Sequence, residues 1–362
     1  MLFRSLVKPK LLSANPPELL EENPDNLLYK LLNGLKLRLY TGGHAFEKQK
    51  FVTGSSPEFA NSFLTQFPNL EFSESTVSDD SYIFKQAAIN NIPPCLRETA
   101  KIIERAKTSA LPQLIQPEDI KGIIHSHSNW SDGNNTLEEM ATAAKEQGFE
   151  YLVISDHSKS AFYAQGLHEE KINAQHRLIE ELNNKLTGFK IFKSIESDIL
   201  YDGSLDYSNA ILSTFDLVIA SVHSILKMTE EKAMQRLITA IENKYTTILG
   251  HMTGRLLLSR KGYPVDHKKI IDACAANNVV IELNAHPSRL DIDWRHIDYA
   301  LEKNVLISID PDAHSIDGFK DTRYGVLSAQ KAMVTKEQNL SSMGLKEFEI
   351  FIAKTKMAKG IS

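Results

Sequence analysis

Seven short apolar runs, each followed by a stretch with helical periodicity, fill the chain from about residue 120 onward. Runs such as YLVIS, DLVIASV and VLISI are apolar almost throughout, which is typical of strands buried on both faces of a parallel sheet. Repeated strand–helix units therefore predict an α/β architecture with a parallel sheet. The predicted strands are 122–126, 151–155, 189–195, 216–222, 246–250, 279–284 and 305–310.

The helical stretches between these runs carry recognisable ends. Thr136 is followed three residues later by Glu139, which is the pattern of a capping box, and Gly148 is a natural stop after this helix. Two further helices are predicted at the C-terminus, over 322–334 and around 345–356. The main predicted helices between strands are 136–147, 169–186, 230–243 and 266–277.

Side chains that bind metals lie at or just after the ends of the predicted strands. Six of the twelve histidines and three carboxylates share this placement. A closed barrel gathers the C-terminal ends of its strands at one rim, whereas an open sheet spreads them along a line. The pattern therefore predicts a distorted (β/α)7 barrel that carries a multinuclear metal site. The nine residues are His125, His127, Asp132, His157, Glu196, His223, His251, Asp312 and His314.

A single histidine at a strand end is more often a hydrogen-bonded structural residue than a ligand, and an HxH motif alone is weak. The joint pattern across six strand ends is what favours metal binding. Alternate residues of an extended segment share a face, so His125 and His127 can act together, as can Asp312 and His314. Because the set offers only nitrogen and oxygen, Zn²⁺, Mn²⁺ or Fe²⁺ fits it better than a thiolate-selected metal or Ca²⁺.

These segments also resemble a known family, the PHP family, named for polymerase and histidinol phosphatase. The similar form is the PHP domain at the C-terminal end of bacterial X-family DNA polymerases, and the resemblance covers about residues 118–340. The segments that carry it are IIHSHSNWSDG (123–133), ISDHS (154–158), SIESDIL (194–200), ASVHS (220–224), LGHMTGR (249–255), IELNAHPSRLDI (281–292) and DPDAHS (310–315).

The resemblance implies a trinuclear centre that hydrolyses phosphate esters. Glu196 would bridge two of the ions, whose shared water would then ionise to hydroxide at neutral pH. Glu196 and Asp312 would be the catalytic carboxylates, and Asp310 is expected to be a bystander. The implied ligand sets are His125, His127, Glu196 and Asp312 for one ion, Glu196, His223 and His251 for the second, and Asp132, His157 and His314 for the third.

Three basic residues just past strand ends are candidates for contact with a substrate phosphate. They are Arg255, Arg289 and Lys227. The alternative is that each is a surface charge or pairs with a neighbouring aspartate such as Asp291.

Residues 1–117 are less regular, and short segments of them resemble the thumb of X-family polymerases. Residues 35–51 predict a strand, a Thr-Gly turn and a polar helix. A polymerase palm needs an Asp-x-Asp pair on a strand, and residues 1–117 contain none, so no nucleotidyl transfer is expected. Four basic residues of this part of the chain could contact DNA, namely Arg38, His44, Lys48 and Lys50. A solvated helix face is the simpler interpretation of them.

The chain as a whole has a formal charge of −5 and only two cysteines, Cys95 and Cys274. No apolar run has transmembrane length and the first residues lack the core of a signal peptide, so a cytoplasmic protein without membrane contact is expected. The domains are expected to be a thumb-like domain and linker (1–117), a PHP barrel (118–340) and a C-terminal helix that closes the barrel (341–362).

The sequence leaves three functions open. It does not determine the oligomeric state. The leading one is a 3′→5′ exonuclease or 3′-end-processing enzyme acting on DNA without polymerase activity. The second is a small-molecule phosphomonoesterase of the histidinol-phosphatase type. The third is a metal-stabilised module that docks DNA without catalysis. The ligands alone do not separate the first two, because the same metals hydrolyse monoesters and diesters.

Overall fold

The structure is a computed structural model that describes residues 17–24, 26–40, 46–73 and 79–361. By its internal contacts the chain divides into two compact units, Met1–Leu111 and Pro112–Ser362. No helix in the described parts of the chain is both long and apolar enough to cross a membrane.

The N-terminal unit contains a three-stranded antiparallel sheet of order β1-β2-β3 and short helices. β3 and α1 correspond to the strand and the polar helix predicted within residues 35–51, whereas the turn between them, with His44, lies outside the described residues. The elements are β1 Glu18–Glu22, β2 Asn26–Lys30, β3 Lys36–Tyr40, α1 Phe46–Thr53, α2 Pro57–Gln66, α3 Ser81–Gln86 and α4 Lys101–Thr108, with a 3₁₀ helix at Pro94–Leu96.

A buried arginine stands among phenylalanine rings in the core of this unit. Arg97 is only 2% exposed, and its guanidinium carbon lies 5.1 Å from the ring centroid of Phe51 and 4.9 Å from that of Phe84. It donates to both carboxylate oxygens of Asp80 at 2.6 and 2.9 Å and to the Ile92 carbonyl at 2.9 Å. The bidentate pair therefore compensates a charge that would otherwise be buried without a partner.

Removal of the Asp80 carboxylate is expected to destabilise the N-terminal unit strongly. Asp80→Ala leaves the Arg97 charge buried, so we expect the free energy of unfolding to fall by about 3 kcal/mol or more. Glu104→Ala is the control, because it breaks an exposed pair with Lys107 and should cost less than about 1 kcal/mol. Urea denaturation of the full chain measures both, and equal costs for the two variants would contradict this account.

The second unit is built on seven parallel strands in the order β10-β9-β8-β7-β6-β5-β4. A bridge between Ser126 and Ala313 joins the first strand to the residues just after the last one, so the sheet is nearly closed into a barrel. All seven predicted strands are present, which confirms the predicted fold class. They are β4 Gly122–Ser126, β5 Tyr151–Ile154, β6 Lys190–Asp198, β7 Leu217–Ser221, β8 Ile248–Leu249, β9 Val280–Asn284 and β10 Ile307–Asp310.

Helices connect these strands and cover the outside of the barrel. The predicted capping box of α5 forms, since Glu139 N donates to Thr136 Oγ1 and Thr136 N donates to Glu139 Oε2. Gly148 follows this helix with a φ of 90°, the left-handed conformation that glycine adopts without strain. The helices are α5 Leu137–Glu146, α6 Glu169–Lys185, α7 Asn209–Leu212, α8 Glu230–Glu242, α9 His267–Asn277, α10 Ile297–Glu302, α11 Thr322–Lys331 and α12 Leu345–Ala358. Short 3₁₀ helices lie at Pro117–Asp119, Phe162–Ala164, Trp294–His296, Ile316–Asp321, Lys336–Gln338 and Leu340–Ser342.

The last helix packs against the ends where the strands begin. Phe348 and Ile352 of α12 belong to one apolar cluster with strand residues such as Ile124 and Ile219. The ring of Phe348 stacks on that of Tyr151 with centroids 4.4 Å apart. This end of the barrel is therefore filled by side chains, and the opposite rim is left for polar groups.

Candidate metal centre

All nine predicted ligands meet at the rim where the strands end. Their nitrogen and oxygen atoms form four overlapping groups, within each of which the ligand atoms lie no more than 4.8 Å apart. Within the described ranges, no other histidine, cysteine or carboxylate joins a group of this kind. The groups are His127, Asp132, His157 and His314; His125, Glu196 and His251; His125, His127 and Asp312; and His157, Glu196 and His223.

Glu196, near the end of β6, is the hub of the cluster. Its carboxylate is fully buried, and imidazole nitrogens of five histidines surround it at 3.0–3.7 Å. Both oxygens take part, since Oε1 faces three of the histidines and Oε2 the other two. A carboxylate placed in this way can bridge two cations. The five histidines are His125, His127, His157, His223 and His251.

The cluster has a buried side and a side that faces solvent. Asp312 Oδ1 lies 3.2 Å from His127 Nε2 on the buried side. On the other side, Asp132 Oδ1 lies 3.4 Å from His314 Nε2, and these two side chains are 32% and 39% exposed. A substrate can therefore reach the cluster from the side of Asp132 and His314.

Two of the nine residues have a left-handed backbone. His125 has a φ of 59° and Asp312 a φ of 53°, a conformation that side chains other than glycine adopt rarely and at a cost of about 1–3 kcal/mol. The pairing of β4 with β5 shifts register between Ile123 and Ser126, so the strand is irregular at His125. The predicted proximity of His125 and His127 thus arises from a bulge rather than from simple alternation along a regular strand.

The electrostatic field of the cluster keeps its central carboxylates ionised. Burial alone would raise the pKa of Glu196, but His223, His125 and His157 hold that pKa well below its usual range. Asp312 behaves in the same way, since burial is outweighed by His125 and a hydrogen bond from His127, and its pKa is also lowered strongly. Burial lowers the pKa of His127 to about 3 and keeps this imidazole neutral. Although burial opposes it, the facing carboxylates raise the pKa of His125 well above its usual range, that of His223 to about 10 and that of His314 to about 9. A metal binds ionised carboxylates and neutral imidazoles, so its binding must displace the protons of these three histidines.

Several buried polar atoms of the cluster make no hydrogen bond of acceptable geometry within the described structure. They include His125 Nε2, His157 Nδ1 and Glu196 Oε2, which all point into the shared space between the ligands. A buried polar atom without a partner is costly, and a cation bound by these atoms would remove that cost. The donor set therefore fits divalent metal ions that accept nitrogen and oxygen ligands.

A shell of further acidic side chains orients the histidines, and the sequence analysis did not single these residues out. Glu282 on β9 is fully buried, accepts from His125 Nδ1 at 2.7 Å and also accepts from the backbone N–H of His251. Asp198 Oδ1 lies 2.9 Å from His223 Nδ1, which directs His223 Nε2 toward Glu196. The signal for Asp198 was present, because it stands two residues after Glu196 on the same strand.

Loss of the Asp198 carboxylate is expected to weaken metal binding without unfolding the barrel. Outer carboxylates of this kind contribute about 10- to 100-fold to metal affinity, so Asp198→Ala should release metal to a competing chelator at correspondingly lower chelator concentrations. Asp202→Ala is the control, since Asp202 contacts only the exposed Ser204 turn and nearby surface groups. Identical metal retention in the two variants would show that Asp198 does not position His223.

The basic residues predicted to contact phosphate have different surroundings. Arg289 Nε lies 3.5 Å from Asp312 Oδ2, at the edge of the cluster. Arg255 is instead occupied within its own loop, where it pairs with Asp293 at 2.8 Å and donates to the carbonyls of Arg289 and Leu290. Lys227 is exposed in the loop after β7. Arg255 thus holds the segment that carries Arg289, in keeping with the alternative that it pairs with a nearby aspartate.

Asp310, expected to be a bystander, is fully buried at the end of β10. Its Oδ1 accepts a hydrogen bond from Ser308 Oγ at 2.6 Å, and its carboxylate belongs to none of the four candidate metal groups. Burial, with the nearby Glu282 carboxylate, raises its pKa well above the usual range.

Comparison with known proteins finds a matching family model and a similar bacterial protein. A family model described as the PHP domain matches residues 124–286. The DNA polymerase/3′-5′ exonuclease PolX of Bacillus subtilis is 40% identical over 261 residues, which cover 72% of this chain and 45% of that protein. The chain thus spans less than half the length of that relative.

Two further matches are to shorter proteins. A probable phosphatase of Acetivibrio thermocellus is 31% identical over 173 residues, covering 46% of this chain and 67% of that protein. The solved structure of histidinol phosphate phosphatase from Lactococcus lactis, complexed with zinc, L-histidinol and phosphate, matches with a TM-score of 0.44 at 19% identity, covering 59% of this chain and 94% of that one. Because the phosphatase is matched over two thirds of its own length at 31% identity, the chain belongs to the PHP family of metal-dependent phosphoesterases.

Proposed function

We propose that the chain hydrolyses phosphodiester bonds at DNA 3′ ends, as a 3′→5′ exonuclease or 3′-end-processing enzyme. The observation that supports hydrolysis of a phosphate ester is the cluster of nine candidate ligands, which is buried on one side and open to solvent at Asp132 and His314. The 40% identity to a protein named as a polymerase and 3′-5′ exonuclease supports DNA as the substrate.

Each group of the site has a role in this proposal. Divalent cations at such a cluster would act as Lewis acids, which neutralise phosphate charge and make a hydroxide nucleophile available at neutral pH. Glu196 and Asp312 hold the negative charge that binds the cations, and the histidines supply neutral nitrogen ligands. Arg289 is placed to orient a phosphate oxygen beside Asp312.

We further propose three ions, distributed over the overlapping groups. The group of His127, Asp132, His157 and His314 corresponds to the third ion implied by the family resemblance, with His127 added to it. Glu196 and Asp312 belong to the remaining groups, which are fully or largely buried. Zn²⁺, Mn²⁺ and Fe²⁺ all suit this donor set.

The N-terminal unit is proposed to derive from a polymerase thumb and to lack nucleotidyl transfer. The match of 261 residues is longer than the barrel unit, which begins at Pro112, so it extends into the N-terminal unit. Within the described part of this unit no carboxylate belongs to a candidate metal group, and Asp80 is bound by Arg97. Arg38 pairs with Glu21 at 3.2 Å and Lys50 with Glu47 at 3.5 Å, which favours a solvated surface over a strong DNA contact.

A small-molecule phosphomonoesterase is the second candidate. It is favoured by the 31% identity to a probable phosphatase that the chain matches over two thirds of its length. The same nine ligands serve either reaction, since the cleaved bond in both is a phosphate ester. A docking module without catalysis is the third candidate and is disfavoured by the complete ligand set.

One experiment separates these functions. Protein loaded with Mn²⁺ or Zn²⁺ is incubated with a 5′-labelled single-stranded oligonucleotide and, separately, with a panel of small phosphomonoesters. Stepwise shortening of the oligonucleotide that is lost in Asp312→Asn supports the proposal. Release of phosphate from the monoesters alone would overturn it in favour of a phosphatase, and a protein that binds metals but hydrolyses neither would favour the docking module.

Arg289 is expected to matter for phosphate binding more than for the cluster itself. Arg289→Met removes a charge-assisted hydrogen bond, so kcat/KM should fall about 10- to 100-fold while the metal content stays the same. Arg295→Met is the control, because Arg295 is an exposed arginine that pairs with Asp293 in a nearby loop. Equal activity of the two variants would remove Arg289 from the substrate site.

A further inference from the structure

We propose that Phe162 and Tyr163 form a stacking platform for a nucleobase of the substrate, so that the site selects nucleotide esters and unpaired DNA ends. The inference rests on the proposed hydrolysis of phosphate esters at the cluster. It adds a second recognition element, which reads the base rather than the phosphate.

The two rings lie next to each other beside the metal cluster. The ring centroid of Tyr163 lies 6.3 Å from that of His157, and the ring centroid of Phe162 lies 6.3 Å from that of Tyr163. In a nucleotide one sugar separates the phosphate from the base. A phosphate held beside His157 would therefore bring its own or the adjacent base within reach of these aromatic side chains.

Both side chains are displayed to solvent. Phe162 is 85% exposed and Tyr163 is 62% exposed. The two rings are nearly perpendicular, at 76°, and the high exposure of Phe162 leaves most of its ring accessible. Single exposed apolar residues are common, but two adjacent exposed aromatic rings beside a candidate ligand site form a surface that can bind a partner.

The loop that carries the rings is held rigidly. Ser160 donates to Asp206 through its backbone N–H at 2.6 Å and through its hydroxyl at 2.5 Å. The Leu167 N–H donates to the His157 carbonyl at 2.8 Å, and the intervening Ala161 is fully buried. The rings are therefore exposed on a loop whose backbone is held by hydrogen bonds, which lowers the entropy cost of ordering that loop on binding.

Two backbone segments of the same loop approach each other closely at Gly166 and Ser158. A Cβ atom at Gly166 would lie 1.9 Å from the Ser158 carbonyl oxygen, so only glycine fits there. The Tyr207 hydroxyl accepts from the Lys159 N–H at 3.1 Å and donates to the Leu167 carbonyl, which joins both ends of the loop. These contacts fix where the two aromatic rings stand relative to His157.

A nucleobase fits this surface better than an aliphatic partner does. Stacking needs a flat, accessible ring close to a bound phosphate, and the aromatic pair has both properties. The ring of Tyr163 also lies beside the cluster, since its centroid is 6.3 Å from that of His157. The pair is thus part of the same site as the metal ligands rather than a separate patch.

The test compares substrates that differ only in the base. Wild-type protein loaded with Mn²⁺ is given an oligonucleotide with ordinary 3′-terminal nucleotides and one whose last two nucleotides carry a tetrahydrofuran in place of the base-bearing sugar. Stacking predicts that kcat/KM is about ten- to a hundredfold higher for the first. Phe162→Ala should reduce this ratio toward one, mainly through KM, and Tyr163→Phe should preserve it. Leu327→Ala, which removes another exposed apolar side chain, is the control and should also preserve it.

The outcomes separate this inference from the proposed function. If no oligonucleotide is cleaved, the same ratio is measured with a nucleoside 5′-monophosphate against ribose 5-phosphate. A base preference that is lost in Phe162→Ala supports the platform even where exonuclease activity fails. An unchanged ratio in Phe162→Ala, or an absence of base preference in the wild type, overturns it. A change of oligomeric state in that variant with the ratio intact would identify the rings as a protein interface and would also overturn it.

Discussion

Substitution of Glu196 by glutamine is expected to abolish phosphoester hydrolysis while the barrel remains folded. The side chain keeps its size but loses its charge at the point where five imidazoles converge within 3.7 Å. An amide neither bridges two cations well nor offsets their charge. We expect kcat to fall by about 10²–10³-fold or more, the range seen when a single group that stabilises charge in the transition state is removed.

Two measurements make this result specific. Circular dichroism checks the fold, and elemental analysis counts the metal ions that each variant retains. Asp312→Asn should behave like Glu196→Gln, whereas Glu180→Gln, which alters a surface glutamate paired with Lys193, should keep full activity. If Glu196→Gln or Asp312→Asn keeps full activity with its metals still bound, these two residues are not the catalytic carboxylates.

Removal of the metals by a chelator is expected to lower the melting temperature of the barrel unit. Glu196 and Glu282 are fully buried, and Asp312 is largely buried. All three carboxylates lie within 3.5 Å of the imidazole of His125. A ligand present at about 100 times its Kd stabilises the native state by about 2.7 kcal/mol. For a domain of this size the loss corresponds to a fall of roughly 5–10 °C.

The control for this experiment is a chelator already saturated with metal, which should leave the melting temperature unchanged. Glu196→Gln should show a smaller response to the free chelator, because it binds the ions less tightly. A melting curve that stays the same after confirmed loss of the ions would contradict a preformed cluster whose ions contribute to folding stability.

The strands and the ligand positions were predictable because each left a local signal. A strand that is buried on both faces must be apolar along its whole length, and runs such as YLVIS at 151–155 show this directly. Histidines that follow such runs, as His157 and His251 do, must then lie at one rim of a closed parallel sheet. Local composition and the geometry of the barrel were sufficient to predict the strands and the gathering of these side chains at one rim.

The remaining features depend on contacts between distant parts of the chain. Glu282 orients His125 from 157 positions away, and nothing near either residue in the sequence indicates that pairing. The bulge at His125 arises from a register shift against β5, which simple alternation does not predict. Arg255 is predicted to be a candidate for phosphate binding, and its contacts with Asp293 and two loop carbonyls join it to residues more than 30 positions away. Its position in the sequence, just past a strand end, is compatible with either role.

The most direct measurement of the central claim is anomalous X-ray scattering from crystals of the zinc-loaded chain, recorded on both sides of the zinc absorption edge. Our account predicts anomalous peaks among the nine ligands, about 2.0–2.2 Å from histidine nitrogens and carboxylate oxygens, with Glu196 shared between two of them. Zinc bound only elsewhere, or no peak beside Glu196 in protein that hydrolyses phosphate esters, would contradict the assignment of this cluster as the metal centre.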